Sequence, residues 1–272
     1  MNAEATPFHA PLHDAEFLQF RTLIHRVAGI SMSSAKKALV AGRLAKRLKH
    51  YGLSSYGEYY RLLTARQDEM QMVVDLLTTN ETYFFREEKH FDRLRQQILP
   101  QHPVGRPLRV WSAASSTGEE AYSIAMLLAD ALGNAPWEIF GSDISTRVLE
   151  RARAGVYDLD RAKGIPQAYL RAYCLKGVGS QAGRLQIDPV LRRRVSFAQV
   201  NLNEPLPDVG QFDVIFLRNV MIYFEAETKQ RVIARLIERL RPGGWFFIGH
   251  SESLNGLSHG LVAKAPSVYR KE

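Results

Sequence analysis

"VWSAASSTGEEAYSIA", Val110 to Ala125, decides the fold of this chain. It continues a short apolar strand, "LRVWSAA" from Leu108 to Ala114, and passes through small residues from Ser112 to Gly118. Glu119 then opens a helix that ends at Gly133. A strand that turns directly into a helix is the repeating unit of a parallel α/β sheet. Small side chains in that turn let a ligand approach the backbone. The spacing matches neither G-x-G-x-x-G nor G-x-x-x-x-G-K-[ST], so the dinucleotide and phosphate-loop signatures are absent. A carboxylate at Glu119 would repel phosphate. It suits a cationic ligand or one that carries an ammonium group.

Toward the C-terminus the alternation continues. "WEIFGSDIS" is a second strand ending at Asp143, and "STRVLERARAG" a helix ending at Gly155. "VSFAQVNL" and "FDVIFLRNV" are a third and a fourth strand. "AETKQRVIARLIERLRPGG" is a helix with a Pro-Gly-Gly stop, and "WFFIGHSE" and "SVYRKE" are a closing pair of strands. This pattern predicts a parallel sheet covered on both faces, with ligands at the carboxyl ends of its strands. Asp143 stands where such sheets place an acid that binds ribose hydroxyls. A positively charged nucleoside without phosphate describes S-adenosylmethionine. Each acid alone has an ordinary structural role, Glu119 at a helix dipole and Asp143 as an N-cap. Together, on consecutive strand ends, they favour a ligand. Between Gly155 and Val195 the alternation breaks. "AYLRAYCLKG" and "GRLQIDPVLRRRV" flank the tip "KGVGSQAG" and read as an inserted antiparallel unit.

Toward the N-terminus, "LPQHPVGRP" reads as a linker, and only helical patterns precede it. "SSAKKALVAGRLAKRLKHYG" is a helix with Ser33 or Ser34 at its start and Gly52 at its stop. Val40, Ala41, Leu44, Ala45 and Leu48 fall on one arc. Lys36, Arg43, Lys46, Arg47 and His50 fall on the opposite one. From Phe17 to Gly57 there are eight Lys or Arg and no Asp or Glu. That imbalance points beyond a solvated face to a docking surface for something negative. "SSYGEYYRLLTARQDEMQMVVDLLT" supplies two further helices.

The 272 residues suffice for one large domain or two smaller ones. The single cysteine, Cys174, permits no internal disulfide and suits a reducing cytosol. "MNAEATPFHAPLHDAEF" lacks the basic and apolar segments of a signal peptide. No apolar run approaches the roughly 20 residues of a membrane span. The net charge of +8 suggests acidic partners, nucleic acid among them. Base methylation usually comes with an Asn/Asp-Pro-Pro-aromatic turn, whereas "RNVMIY" has no proline. No metal-ligand spacing is present, and His250 in "GHSE" reads as a structural hydrogen-bonding residue.

"TTNETYFFRE", "VWSAASSTGEEAYSIA", "SDIS", "FLRNVMIYF", "LRPGGWFFIGHSE" and "SVYRK" together resemble the CheR-type chemotaxis receptor methyltransferases, in the family's order, from about Phe17 to Lys271. The resemblance implies a class I S-adenosylmethionine-dependent (Rossmann-like) α/β domain over 91–272. It carries a small antiparallel β-subdomain over 156–195 and follows an all-α domain over 1–90. The implied reaction esterifies glutamate side chains on chemoreceptor cytoplasmic helices and yields S-adenosylhomocysteine, without a metal. Cofactor contacts carried over are Asn80, Thr82, Arg86, Glu119, Asp143, Asn201, Leu202, Arg218 and Asn219. Arg86 and Tyr223 match the residues beside the transferred methyl group, and Arg86 is expected to start the next helix.

The basic helix, with Lys36, Arg43, Lys46 and Arg47, would dock the receptor bundle. The tip, with Lys176, Gly177, Gly179 and Gly183, has the longer form of members that grip a receptor's C-terminal pentapeptide tether. Lys176 and Gln186 stand where that subset shows arginines. A cytoplasmic monomer, recruited to membrane or cytosolic receptor arrays, with no nucleic-acid partner and no direct membrane insertion, is the implied setting.

Overall fold

A computed structural model describes residues 10–103 and 105–272. The first nine residues, part of the stretch read as lacking a signal peptide, and Val104 of the linker lie outside it. The chain forms two compact units that divide between Thr79 and Asn80.

The first unit holds α1 (Asp14–Ala28), α2 (Lys37–Tyr51), α3 (Tyr56–Ala65) and α4 (Gln67–Leu77). A short 3-10 turn, Ser34–Lys36, leads into α2. Gly52, at φ 63°, ends α2 in the left-handed conformation that a side chain would disfavour. Ser55 caps α3 by accepting the Glu58 N–H. Phe20, Leu44, Leu48 and Tyr59 are fully buried, with the Phe20 and Tyr59 rings stacked at 6.1 Å.

The basic face of α2 is divided by its partners. Lys36 and Lys46 are exposed. Arg43 instead donates to the carbonyls of Leu77 and Thr78, at 3.1 and 3.0 Å. Arg47 grips Glu69 through Nε and Nη2, both at 2.7 Å. Glu69 is only 2% exposed and also accepts from Tyr51 and Tyr59, at 2.9 and 2.5 Å. Two of the four expected docking residues are therefore internal braces. The acid-free stretch draws its partners from outside itself: Asp14 of α1 pairs with Lys37, Glu69 of α4 with Arg47, and the carbonyls at the end of α4 accept from Arg43.

The second unit opens with α5 (Lys89–Arg93), which continues through a wider turn to Ile98. β1 (Leu108–Ala113), α6 (Glu119–Leu132), β2 (Trp137–Asp143) and α7 (Thr146–Ala154) follow. The insertion contains β3 (Val156–Asp158), α8 (Gln167–Tyr173), β4 (Cys174–Lys176), β5 (Arg184–Ile187) and α9 (Pro189–Arg192). The sheet resumes with β6 (Val195–Gln199), β7 (Phe212–Leu217), α10 (Ala226–Glu238), β8 (Leu240–Ile248), β9 (Leu261–Ala265) and β10 (Val268–Lys271). The seven-stranded order is β6-β2-β1-β7-β8-β10-β9, and β3-β5-β4 form a separate antiparallel sheet. β6, β2, β1, β7 and β8 are parallel, whereas β10 is antiparallel to both β8 and β9.

Four expectations need correction. The boundary falls before residue 80, not after 90, because the intervening segment is anchored in the second unit. Phe84 is buried with its ring edge-on to Tyr157 at 5.0 Å, and the Phe85 N–H donates to Ser123. Arg86 does not start α5, because Phe85 and Glu87 both hold positive φ, which a right-handed helix excludes. "AYLRAY" is helical: Pro166 precedes its first turn, and Tyr169 and Tyr173 pair at i,i+4 with ring centres 5.6 Å apart. The Pro-Gly-Gly of residues 242–244 lies inside β8, where the register against β7 slips between Phe212 and Val214. Proline lacks a ladder donor and Gly243 sits at φ 75°, so the segment bulges.

Breaking the Arg47–Glu69 pair leaves a buried carboxylate uncompensated. Arg47→Glu is expected to cost about 3–5 kcal/mol in urea unfolding, whereas Lys46→Glu stays within about 0.5 kcal/mol. Burial raises the Glu69 pKa, but Arg47, Tyr59 and Tyr51 outweigh it and hold the carboxyl below its usual range. The resulting stability is complete above the unfolded value of about 4.3 and is lost as pH falls through the lower folded value. Glu69→Gln should flatten that acid limb in melts taken across pH.

Candidate active site

Chain order reverses at β1: β2 and β6 lie on one side, β7 and β8 on the other. The carboxyl ends of β1 and β7 thus flank the crevice where open α/β sheets bind ligands. Six non-glycine residues hold positive φ among the described residues. Ala114 and Ser116 lie after β1, Asn219 after β7, and Phe85 and Glu87 in the segment before α5. Only Ser267 lies elsewhere. Such strain, of order 1–3 kcal/mol each, persists only where surroundings over-determine it.

The turn after β1 gathers four expected cofactor residues. Ser116 donates its hydroxyl to the Asn80 carbonyl at 2.7 Å and its N–H to Asp143 at 2.9 Å. Asp143 also accepts the Ser145 N–H at 2.9 Å. Glu119, fully buried, accepts from Thr117 and pairs with Arg161 of the inserted unit. Arg161 also donates to the Thr82 carbonyl at 3.0 Å. Sequence reasoning passed over Arg161 because "DLDRAKG" carries no motif; only the fold brings it to Glu119.

Arg218 joins the other turns. Its side chain is 1% exposed. It donates to the Arg86 carbonyl, to Glu87 at 3.1 Å and to Glu120 at 3.1 Å. Glu120 in turn accepts the Ser112 hydroxyl at 2.7 Å. Asn219 gives its side-chain amide to Glu87 at 3.0 Å. Burial opposes ionisation of Glu87, but Asn219, Arg218 and the His250 N–H overcome it and hold its pKa low. Burial raises the Glu120 pKa, with Arg218 and Ser112 opposing. Burial and the Arg218 charge push His90 down to about 3, so its imidazole is neutral.

Tyr223 is half-buried and closes the short turn Met221–Tyr223, which Glu252 holds. The Glu252 carboxylate accepts the N–H groups of Asn219, Met221, Ile222 and Gly249, at 2.9, 2.8, 3.3 and 2.6 Å. Glu252 closes the quoted "GHSE", yet its role was hidden because backbone donors leave no trace in side-chain patterns. The Arg86 guanidinium donates to the Glu81 carbonyl at 3.1 Å and lies 5.6 Å from the Tyr83 ring centre. Tyr83 is 52% exposed, so of the three aromatics there Phe84 alone is fully buried. Asn201 and Leu202 follow β6 beside Asp143, whose carbonyl accepts the Val200 N–H. In the inserted unit, Lys176, Gly179 and Gly183 are exposed, and Gly177 pairs with the Arg184 carbonyl.

A mostly parallel sheet, a switch-point crevice lined by carboxylates and an inserted antiparallel unit define an S-adenosylmethionine-dependent methyltransferase fold. Residues 80–267 match the SAM binding domain of CheR methyltransferases, and residues 15–78 their all-alpha domain. The chain is 44% identical to chemotaxis protein methyltransferase 2 of Pseudomonas aeruginosa, over 96% of this chain and 94% of that one. It is 43% identical to the chemotaxis protein methyltransferase of Salmonella typhimurium, over 95% and 90%, and 43% to that of Escherichia coli, over 95% and 91%. The chain belongs to the CheR methyltransferase family.

Glu252→Ala leaves four backbone donors without their acceptor. It is expected to lower unfolding free energy by at least about 2 kcal/mol in denaturant titrations.

Proposed function

We propose that the protein transfers a methyl group from S-adenosylmethionine to glutamate side chains on the cytoplasmic helices of chemoreceptors, forming γ-methyl esters. The observation that carries this is the meeting of Asn80, Thr82, Glu119 and Asp143 around one strained turn at the switch point. The donor set fits the cofactor. Buried carboxylates suit a cationic nucleoside with ribose hydroxyls, and no phosphate loop is present. Asn80, Thr82, Glu119, Asp143, Asn201, Leu202 and Asn219 would hold it, with Arg218 bracing the wall behind them. When bound, the cofactor supplies an electrophilic methyl group on a sulfonium.

A glutamate carboxylate is already ionised at neutral pH, with a pKa of about 4.3, so no general base is needed. The chain's task is positioning and exclusion of water. Arg86 orients a carboxylate, and the Tyr223 hydroxyl aims the nucleophile. Neither stabilises the ground state strongly, because the carboxylate loses its charge in the transition state.

Lys36 and Lys46 form the receptor-docking face, while Arg43 and Arg47 support it from within. β4 is an edge of its small sheet, and an edge accepts an added strand. The pentapeptide tether docks there beside Lys176, Gly177, Gly179 and Gly183, raising effective concentration. The protein acts as a cytoplasmic monomer at receptor arrays, without a catalytic metal.

Tritiated methyl transfer to receptor-rich membranes should yield base-labile esters. Arg86→Ala should lower turnover by roughly 100-fold, the scale of a misplaced reactant. Full turnover in both Arg86→Ala and Tyr223→Phe, with cofactor affinity unchanged, would refute their assignment. Lys36→Glu with Lys46→Glu should weaken receptor methylation and leave cofactor binding intact. Calorimetry with an aromatic–acidic pentapeptide tests the tether, and silence at high concentration removes it.

A further inference from the structure

We propose that Glu87, His90 and His250 form a binding site for a divalent transition-metal ion of the zinc class. This goes beyond the methyl-transfer reading: His90 and His250 have no part in it, and Glu87 enters it only as a brace of Arg218 and Asn219. Glu87 and His90 are three residues apart in the turn that opens α5, where the His90 N–H donates to the Glu87 carbonyl at 3.0 Å. His250 follows β8. Their ligand atoms, one carboxylate oxygen and two ring nitrogens, all lie within 4.8 Å of one another.

His90 is the observation that asks for a ligand. Its residue is 2% exposed, and neither ring nitrogen has a hydrogen-bond partner. Its Nδ1 lies 3.5 Å from Glu87 Oε2, too long for a good hydrogen bond. Leaving buried polar atoms unsatisfied is costly, because they lose their water and gain nothing in return. The ring is held edge-on between Phe247, at 5.3 Å, and His250, at 4.6 Å. A neutral imidazole so placed offers a nitrogen lone pair.

Two imidazoles and a carboxylate are a zinc-type donor set that leaves a fourth position for water. Tetrahedral zinc at about 2.0–2.1 Å from its ligands sets them roughly 3.4 Å apart. The site must therefore contract, and exposed His250 can do so by rotating its side chain while giving the ion an entry path. Arg218, 3.1 Å from Glu87, opposes a cation, but Glu87 and Glu120 offset its charge. A bound ion would draw Glu87 away from Arg218 and Asn219.

The test uses the full chain, stripped by a chelator and titrated with Co2+ as a visible-absorption probe. The expected result is a tetrahedral Co2+ spectrum saturating at one equivalent and displaced by Zn2+. His250→Ala should weaken binding by at least about tenfold, while His50→Ala, far away in sequence on α2, leaves it unchanged. His90→Gln should also abolish the spectrum, with a melting curve checking its fold. No saturable spectrum at micromolar concentrations, or equal affinity in His250→Ala, overturns the proposal whether or not the protein methylates receptors.

Discussion

A single buried guanidinium holds the site together. Arg218 sits at the end of β7 with its side chain withdrawn from water, and it reaches the Arg86 carbonyl, Glu87 and Glu120. These partners come from the segment before α5 and from the first turn of α6. A buried charge is tolerated only when its desolvation is answered by well-placed acceptors. Arg218 has three, and each is fixed in turn: Glu87 by Asn219, Glu120 by Ser112, and the Arg86 carbonyl by the left-handed residues on either side of it. Its ion pairs thus convert one desolvation problem into a rigid wall.

Three of the six strained residues lie against that wall. Phe85, Glu87 and Asn219 flank the Arg218 cluster, while Ala114 and Ser116 flank the hydrogen bond to Asp143. Each would relax if its neighbours released it. The carboxylates of Glu87 and Glu252 prevent this for Asn219, one binding its side chain and the other its backbone N–H. Glu252 extends the same control to the turn that ends in Tyr223. The expected methyl-side residues thus come from separate segments, connected through Arg218, Glu87, Asn219 and Glu252.

Much of this was legible in the sequence, for physical reasons. The small residues from Ser112 to Gly118, with acids at Glu119 and Asp143, announce a strand-end site because both depend on local periodicity. Long-range partners were not legible. Arg161 finds Glu119 across 42 positions, and Arg218 finds Glu87 across 131. No local pattern encodes such pairs. The Pro-Gly-Gly of β8 misled for the opposite reason: its local chemistry is that of a helix stop, but a parallel neighbour absorbs it as a bulge. The edge strand β9, short and half exposed, carried too weak an alternation to be read.

The net charge of +8 shows how composition overstates a surface. Arg43 and Arg47 are braces of the helical unit. Arg106 and Arg241 both pair with Asp213, which is 5% exposed, and Arg109 holds Glu138. Arg161 and Arg218 are committed to the site. The bidentate fork of arginine suits it to such internal work, whereas a lysine ammonium is a hydrated point charge. On α2 and the turn that leads into it, the same division separates the inward Arg43 and Arg47 from the outward Lys36 and Lys46. A partner that reads this face therefore meets Lys36 and Lys46, and does so on a helix whose rigidity depends on the two arginines behind them.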